Sequence, residues 1–329
     1  MATLKDVAAR AGVSLATAAR VARGENNVSP KRKKLVEDAI RALNYEPNAV
    51  ARQLRKNETG NVIVIIPDIK NSFFHEIIVG IEACALEKGY QVLLADMQND
   101  PRAEEFYFRS LMQRQMDGII SLSASAGTRL MREVSSSYPV VFAAQSIADD
   151  SAPSISIDNI AAAKDMMQHL ISLGYRNICH LTCQPTLALY RDRFTGYCQS
   201  LAENGIPIDM DLVRYGDSTM ESGYESMVSI LEEGRNVDAV FAAGDVIAAG
   251  AMQALGDRGL SIPGDVAVVG FDDIDIASYV RPRLTTIRQP RFAMGRKAME
   301  MLADLMAGKA LEDPIVRPPY ELVIRESCP

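Results

Sequence analysis

The sequence predicts an all-α helical head joined through a short hinge to a larger α/β body, in which two doubly wound parallel sheets form two lobes. Three observations carry this. Helix start signals and helical apolar spacing crowd the first 45 residues, a polar linker follows at 56–60, and from residue 61 apolar strand-like runs alternate with helix-length stretches. At 329 residues the chain suits roughly two domains of ordinary size.

In the head, helices are expected over 5–11, 14–23 and 30–43, with a turn at Ala11-Gly12-Val13. Ser14 can accept a hydrogen bond from the free amides of the turn that follows it, and Ser29-Pro30 offers an N-cap with proline at the first helical position. Leu35, Val36, Ala39, Ile40 and Leu43 recur at helical spacing, a stripe that Val7, Ala8, Val13 and Val21 would cover. A short helix-capable run at 48–55 precedes the linker Lys56-Asn57-Glu58-Thr59-Gly60. Beyond it, buried parallel strands are expected at 62–66, 91–95, 118–122, 140–143, 178–182, 239–242 and 266–270. Seven or more such units over about 265 residues are better housed in two sheets than one.

Composition bounds the function. No apolar run approaches the roughly 18 residues of a membrane span, and charges at Lys5 and Asp6 break the apolar stretch that a secretory signal needs. A cytoplasmic protein without a membrane partner is expected. Five cysteines, at 84, 179, 183, 198 and 328, lack paired spacing and are expected as thiols. The net charge of −7 hides an asymmetry: residues 1–60 hold twelve Lys/Arg against six Asp/Glu. A basic module on an acidic body suits phosphate binding confined to the module.

The motifs are specific. Thr3-Leu4-Lys5-Asp6-Val7-Ala8, Ala11-Gly12-Val13-Ser14, Arg20-Val21, Val28-Ser29, Leu43-Asn44-Tyr45-Glu46-Pro47-Asn48 and Ala51-Arg52-Gln53-Leu54 resemble the LacI/GalR family. So do Pro67-Asp68, Ser72-Phe73-Phe74, Gly80-Ile81-Glu82, Ile157-Asp158-Asn159, Arg193-Phe194-Thr195-Gly196-Tyr197 and Gly270-Phe271-Asp272-Asp273. Pro67-Asp68-Ile69 with 73–78 is most similar to the cytidine-repressor branch. The resemblance covers essentially the whole chain. It implies a helix-turn-helix domain at 1–46, a hinge helix and linker at 47–60 that orders on operator DNA, and a periplasmic-binding-protein-like effector and dimerisation domain at 61–329. One lobe would take about 61–158 and 290–317, the other about 159–288 and 318–329.

A recognition helix enters the major groove by its N-terminal turns, so Leu15, Ala16 and Arg20 can face base edges together, supported by Ser14 and Thr17. Leu15 and Ala16 suit a thymine methyl, whereas Arg20 can make two hydrogen bonds to guanine. Where similar repressors carry Thr-Val-Ser, this chain has Thr17-Ala18-Ala19, which removes a hydroxyl worth about 1 kcal/mol of phosphate positioning per subunit. The resemblance places Leu54 as a minor-groove wedge flanked by Asn48, Arg52 and Arg55.

In the body, ligands bind beyond the C-terminal ends of strands. Asp272 follows the last expected strand and Arg193 sits near the start of a helix, and the resemblance makes this pair the holder of effector hydroxyls. Phe73 and Phe74 would stack on a base or sugar ring, with Gln289 and Asp158 as further pocket candidates. Gly244-Asp245 and Ala143-Ala144 stand where relatives carry more polar residues, which favours a nucleoside over a polyhydroxylated sugar among nucleoside, purine and sugar effectors.

No cofactor or metal is expected. Neither G-x-G-x-x-G nor G-x-x-x-x-G-K-[ST] occurs, and Cys179, His180 and Cys183 lie in a run that reads as buried strand. His75 and His169 have no recognisable nucleophile or metal partner. An enzyme acting on sugars or nucleosides would need a paired acid and base, for which Asp272-Asp273 is the only foothold. A transport-type binding module would need a secretory signal in place of residues 1–60. The reading is therefore a non-enzymatic, homodimeric regulator, acting as a repressor, whose effector shifts lobe closure and the ordering of the hinge. The C-terminal 324–329 lacks a heptad tail for a coiled-coil tetramer.

Overall fold

Thr3 opens the first helix, Leu4–Ala11, with a reciprocal cap: its hydroxyl accepts from the Asp6 amide, and its own amide donates to the Asp6 carboxylate at 2.8 Å. Gly12, at φ +63°, ends that helix in the left-handed conformation that glycine adopts without strain. Ser14 starts the second, Leu15–Ala22, its Oγ accepting from the Thr17 amide at 3.2 Å. The third, Pro30–Leu43, begins at proline as expected, but Ser29 makes no side-chain capping bond, so the pre-set φ of Pro30 does that work without it. Val7, Ala8, Ala11, Ala18, Val21, Val36 and Ala39 close the core of the head. Leu35 departs from the expected stripe and is 46% exposed, because it lies about 100° around the helix from the buried Val36.

These coordinates are a computed structural model, which describes residues 2–22, 24–25, 27–45, 58–98, 100–123, 129–145, 152–185 and 187–329. The chain divides into two units, Met1–Thr59 and Gly60–Pro329. In the larger unit, β1 (Asn61–Ile66), β2 (Gln91–Asp96), β3 (Gly118–Ser121), β4 (Val140–Ala143), β5 (Ser154–Ile155) and β11 (Ile315–Val316) form a parallel sheet in the order β11-β5-β4-β3-β1-β2. A second parallel sheet orders β7 (Val213–Gly216), β6 (Ile178–Cys183), β8 (Ala239–Ala242) and β9 (Ala267–Val269) as β7-β6-β8-β9. Strands such as β1 and β6 are buried almost throughout, the pattern of sheets covered on both faces.

In each lobe two helices cross with their backbones in contact. In the first, helices Phe73–Lys88 and Arg291–Met306 meet at Gly80 and Gly295, where a Cβ would strike the carbonyl oxygens of Phe292 and Ile77. In the second, helices Met220–Glu232 and Asp245–Asp257 meet at Gly223 and Gly250 in the same reciprocal way. Glycine is required at all four positions by space rather than by φ.

Three stretches of chain join the lobes. One runs from β5 to helix Asn159–Ser172; the other two contain β10 (Thr286–Arg288) and β12 (Glu321–Val323), which pair antiparallel as a two-stranded ribbon. Ionic contacts lace it: Asp273 binds Arg288 at 2.6 Å and Arg325 at 2.7 Å, and Arg288 reaches Glu321 at 2.8 Å. Among the described residues no helix is long and apolar enough to cross a membrane.

Candidate functional site

On the second helix of the head, Leu15, Ala16 and Arg20 are exposed, with Leu15 45% accessible, while Ala18 and Val21 are buried on the opposite side. Ala16 and Arg20 are four apart, so they share a face. Ser14 Oγ lies 2.9 Å from Thr17 Oγ1, tying both hydroxyls to the start of the helix. Ala18 is a core residue; of the two alanines, only half-buried Ala19 stands where an outward hydroxyl could be missing. Asn48, Arg52, Leu54 and Arg55 lie outside the described residues.

The larger unit holds a cavity of about 390 Å³ between its lobes. In the first sheet, β1 sits between β2 and β3, so successive crossovers leave it in opposite directions; in the second, β6 sits between β7 and β8. Such switch points open a crevice beyond the strand ends. Asp68 follows β1, Ser123 follows β3, Gln184 follows β6, Asp217 follows β7 and Asp272 follows β9, and all five line the cavity. Phe73 and Phe74, edge to face at 5.2 Å, form an apolar wall with Met97, Leu187 and Leu189.

Arg193 is the centre of the polar wall. Its Nε donates to Asn159 Oδ1 at 3.0 Å, its Nη1 to the Ala243 carbonyl and its Nη2 to Asp272 Oδ1 at 2.9 Å, while its guanidinium stacks 3.7 Å from the Phe271 ring centroid. The two charged side chains are 3% and 13% exposed. Burial raises the Asp272 carboxyl above its ordinary range, and Arg193 opposes that shift. Asp272 and Asp273 have φ of +108° and +48°, left-handed values that cost a non-glycine residue strain and fix the loop at the strand end. Asp245, beneath the loop, accepts from Thr286 Oγ1 at 2.6 Å and from the Ile274 amide at 2.8 Å. Burial, and then the nearby Asp272 charge, push its carboxyl well above the usual range.

Of the residues expected around a ligand, Phe73, Phe74, Arg193 and Asp272 therefore line one cavity. Gln289 stands behind it, donating to Asp272 Oδ1 at 2.7 Å. Asp158 does not reach it: exposed at the start of helix Asn159–Ser172, its carboxylate accepts from the Ala161 amide at 2.9 Å and serves as a cap. Tyr190, Asn71 and Asp217 were not singled out from the sequence. Asp217 was hidden because β7 was not recognised as a strand, its Val-Arg-Tyr-Gly pattern lacking an apolar run. His180 stacks on Tyr197 and Phe194 in the core, where burial depresses its pKa to about 4, and Cys179 is fully buried with its thiol pushed up to about 12. Among the described residues no group of His, Cys, Asp and Glu is placed to hold a metal.

A three-helix head with an exposed second-helix face, followed by two lobes around a strand-end cavity, defines a DNA-binding transcriptional regulator with a ligand-binding body. Residues 3–48 match the family described as bacterial regulatory proteins, lacI family, and residues 59–317 match periplasmic binding proteins and sugar binding domain of LacI family. Catabolite control protein A of Priestia megaterium is 36% identical over 99% of this chain and 98% of its own. The HTH-type transcriptional repressor CytR of Escherichia coli K12 is 36% identical, over 99% and 96%. Among solved structures, the lac repressor dimer bound to operator and the anti-inducer ONPF superposes with a TM-score of 0.89 at 29% identity, over 99% of each chain. A complex of the transcriptional regulator CelR with cellobiose gives 0.75 at 31%, over 99% and 100%. The chain belongs to the LacI family, whose members are regulators and not enzymes.

Proposed function

We propose that this protein is a cytoplasmic homodimeric repressor that clamps a pseudo-palindromic operator, with the second head helix in the major groove, and that a nucleoside or sugar in the cavity between the lobes controls it. The observation that carries the reading is the pairing of an exposed Leu15-Ala16-Arg20 face with a strand-end cavity walled by Arg193 and Asp272. Leu15 and Ala16 offer methyl groups to thymine, and Arg20 can donate bidentately to guanine. Ser14 and Thr17 position the helix on phosphate. In the hinge, Leu54 acts as the minor-groove wedge, with Asn48, Arg52 and Arg55 on the flanking backbone. Val79, Leu86, Leu93 and Leu94 are exposed apolar side chains of one lobe and offer a surface to a second copy.

In the cavity Phe73 and Phe74 cover one face of a ring while Arg193 and Asp272 read its hydroxyls, with Gln289 holding Asp272 in place. A ligand that binds one lobe arrangement more tightly than the other shifts their populations, and the hinge helices order in only one of them. The test is selection of operator sequences from a random DNA pool by the full-length protein, followed by titration of nucleosides and sugars into the complex. The expected result is a two-fold symmetric site whose occupancy responds to one of these ligands. Leu54→Ala should abolish bending of that site in a gel assay and leave ligand binding intact. An asymmetric site, or bending unchanged by the substitution, overturns the corresponding part of the reading.

A further inference from the structure

The charge of the cavity wall restricts what can occupy it. This inference rests on the cavity being the effector site. We propose that the cavity admits an uncharged hydroxyl-bearing ring, a free sugar or a nucleoside, and rejects the phosphorylated forms of the same molecules.

Among the described residues the wall carries three carboxylates, Asp68 from one lobe and Asp217 and Asp272 from the other, against a single guanidinium, that of Arg193. That guanidinium is already paired. Among the described residues, one of its five N–H groups goes to Asn159, one to the Ala243 carbonyl and one to Asp272, leaving two to meet a ligand. Two N–H donors beside a neutralising carboxylate suit a pair of neutral hydroxyls; they do not supply the uncommitted cation that a phosphate dianion needs.

Helix termini at the wall act in the opposite sense. Helices Phe73–Lys88, Ala188–Glu203 and Met220–Glu232 begin at the wall, where Phe73, Leu187 and Thr219 line it, and helix N-termini attract anions. Each contributes roughly half a unit charge. Asp68 and Asp217 precede two of those helices by a few residues and carry a full charge each, so the carboxylates outweigh the dipoles. The Thr219 helix is moreover capped by its own side chain, whose Oγ1 accepts from the Ser222 amide at 3.1 Å. The apolar wall of Phe73, Phe74 and Met97 adds no anion partner.

Calorimetric titration of the full-length protein with matched pairs tests this: nucleosides against their 5′-monophosphates, ribose against ribose 5-phosphate, and glucose against glucose 6-phosphate. Binding should be confined to uncharged members, with the phosphate form of any ligand weaker by on the order of 100-fold. In Asp217→Asn that gap should narrow by roughly tenfold, because a repelling charge has been removed without altering shape. A phosphate form that binds as tightly as its partner overturns the inference while leaving the effector site in place, and so does a gap unchanged in Asp217→Asn. A panel in which nothing binds overturns the effector-site reading itself.

Discussion

Arg193 and Asp272 show how a single residue can hold a site and a lobe together. The guanidinium bridges Asn159 at the start of a helix and Ala243 and Asp272 in the loops after β8 and β9, and both charges are nearly closed off from water. Removing one member of such a pair strands the other. Arg193→Ala should therefore destabilise the protein by about 3 kcal/mol, whereas Asp272→Asn, which keeps an acceptor for Arg193, should cost less. Denaturant melts of the two variants check the order; a smaller loss for Arg193→Ala contradicts the pairing. Asp245 gives a pH dependence. Its folded carboxyl is raised above the unfolded value, so between the two the native state binds the extra proton and stability declines as pH rises above about 4. Asp245→Asn removes that decline, and its stability relative to the wild type should grow from pH 5 to pH 8 in matched melts. Arg193 and Asp272 were legible because motif and strand-end position agree. Asp245 was quoted in the sequence only as a neighbour of Gly244, since nothing in its spacing signals that it is buried beneath the loop.

At the scale of elements, strands with unbroken apolar runs were legible nearly to the residue: the expected 140–143 and 239–242 coincide with β4 and β8. Two- and three-residue strands such as β5, β10, β11 and β12 were not, because they owe their conformation to a neighbouring strand and carry too few residues for periodicity. The second head helix was legible, and the structure separates its two alanines by burial. Ala18 is core, so restoring a hydroxyl at residue 19 alone should be informative. Ala19→Ser is expected to tighten operator binding by about 1 kcal/mol per subunit, read as roughly fivefold in a half-site titration. The crossing at Gly80 and Gly295 allows the opposite kind of test. Gly295→Ala pushes two helix backbones apart and should cost about 1–3 kcal/mol, measurable as a lower melting temperature; an unchanged one contradicts the contact.

For the whole molecule, charge separates the two binding activities. The head-and-hinge segment 1–60 is basic although the chain is acidic overall, so operator affinity should fall about 10³-fold between 50 and 200 mM salt if six or more phosphates are neutralised. Affinity for an uncharged ligand should change little over the same range. Equal salt slopes in the two titrations contradict this division. The two-lobed architecture was legible from the count of βα units and the three passages between lobes from the family resemblance, but the β10–β12 pairing and the contacts that bind these passages were not, since they join residues 155–165, 284–291 and 317–325 that lie far apart in sequence. Arg317 donates to Ser156, Tyr320 to Asp165, and Arg291 reaches the Asp273 carbonyl, in addition to the ribbon itself.

That ribbon has a mechanical consequence. Two of the three connections share ladder hydrogen bonds along β10 and β12, so they cannot lengthen or slide past each other without breaking them. A joint of this kind behaves as a strip: stiff against stretch and shear along its length, compliant to bending across its width. Bending across the ribbon is thereby the relative motion of the lobes that breaks the fewest of these bonds.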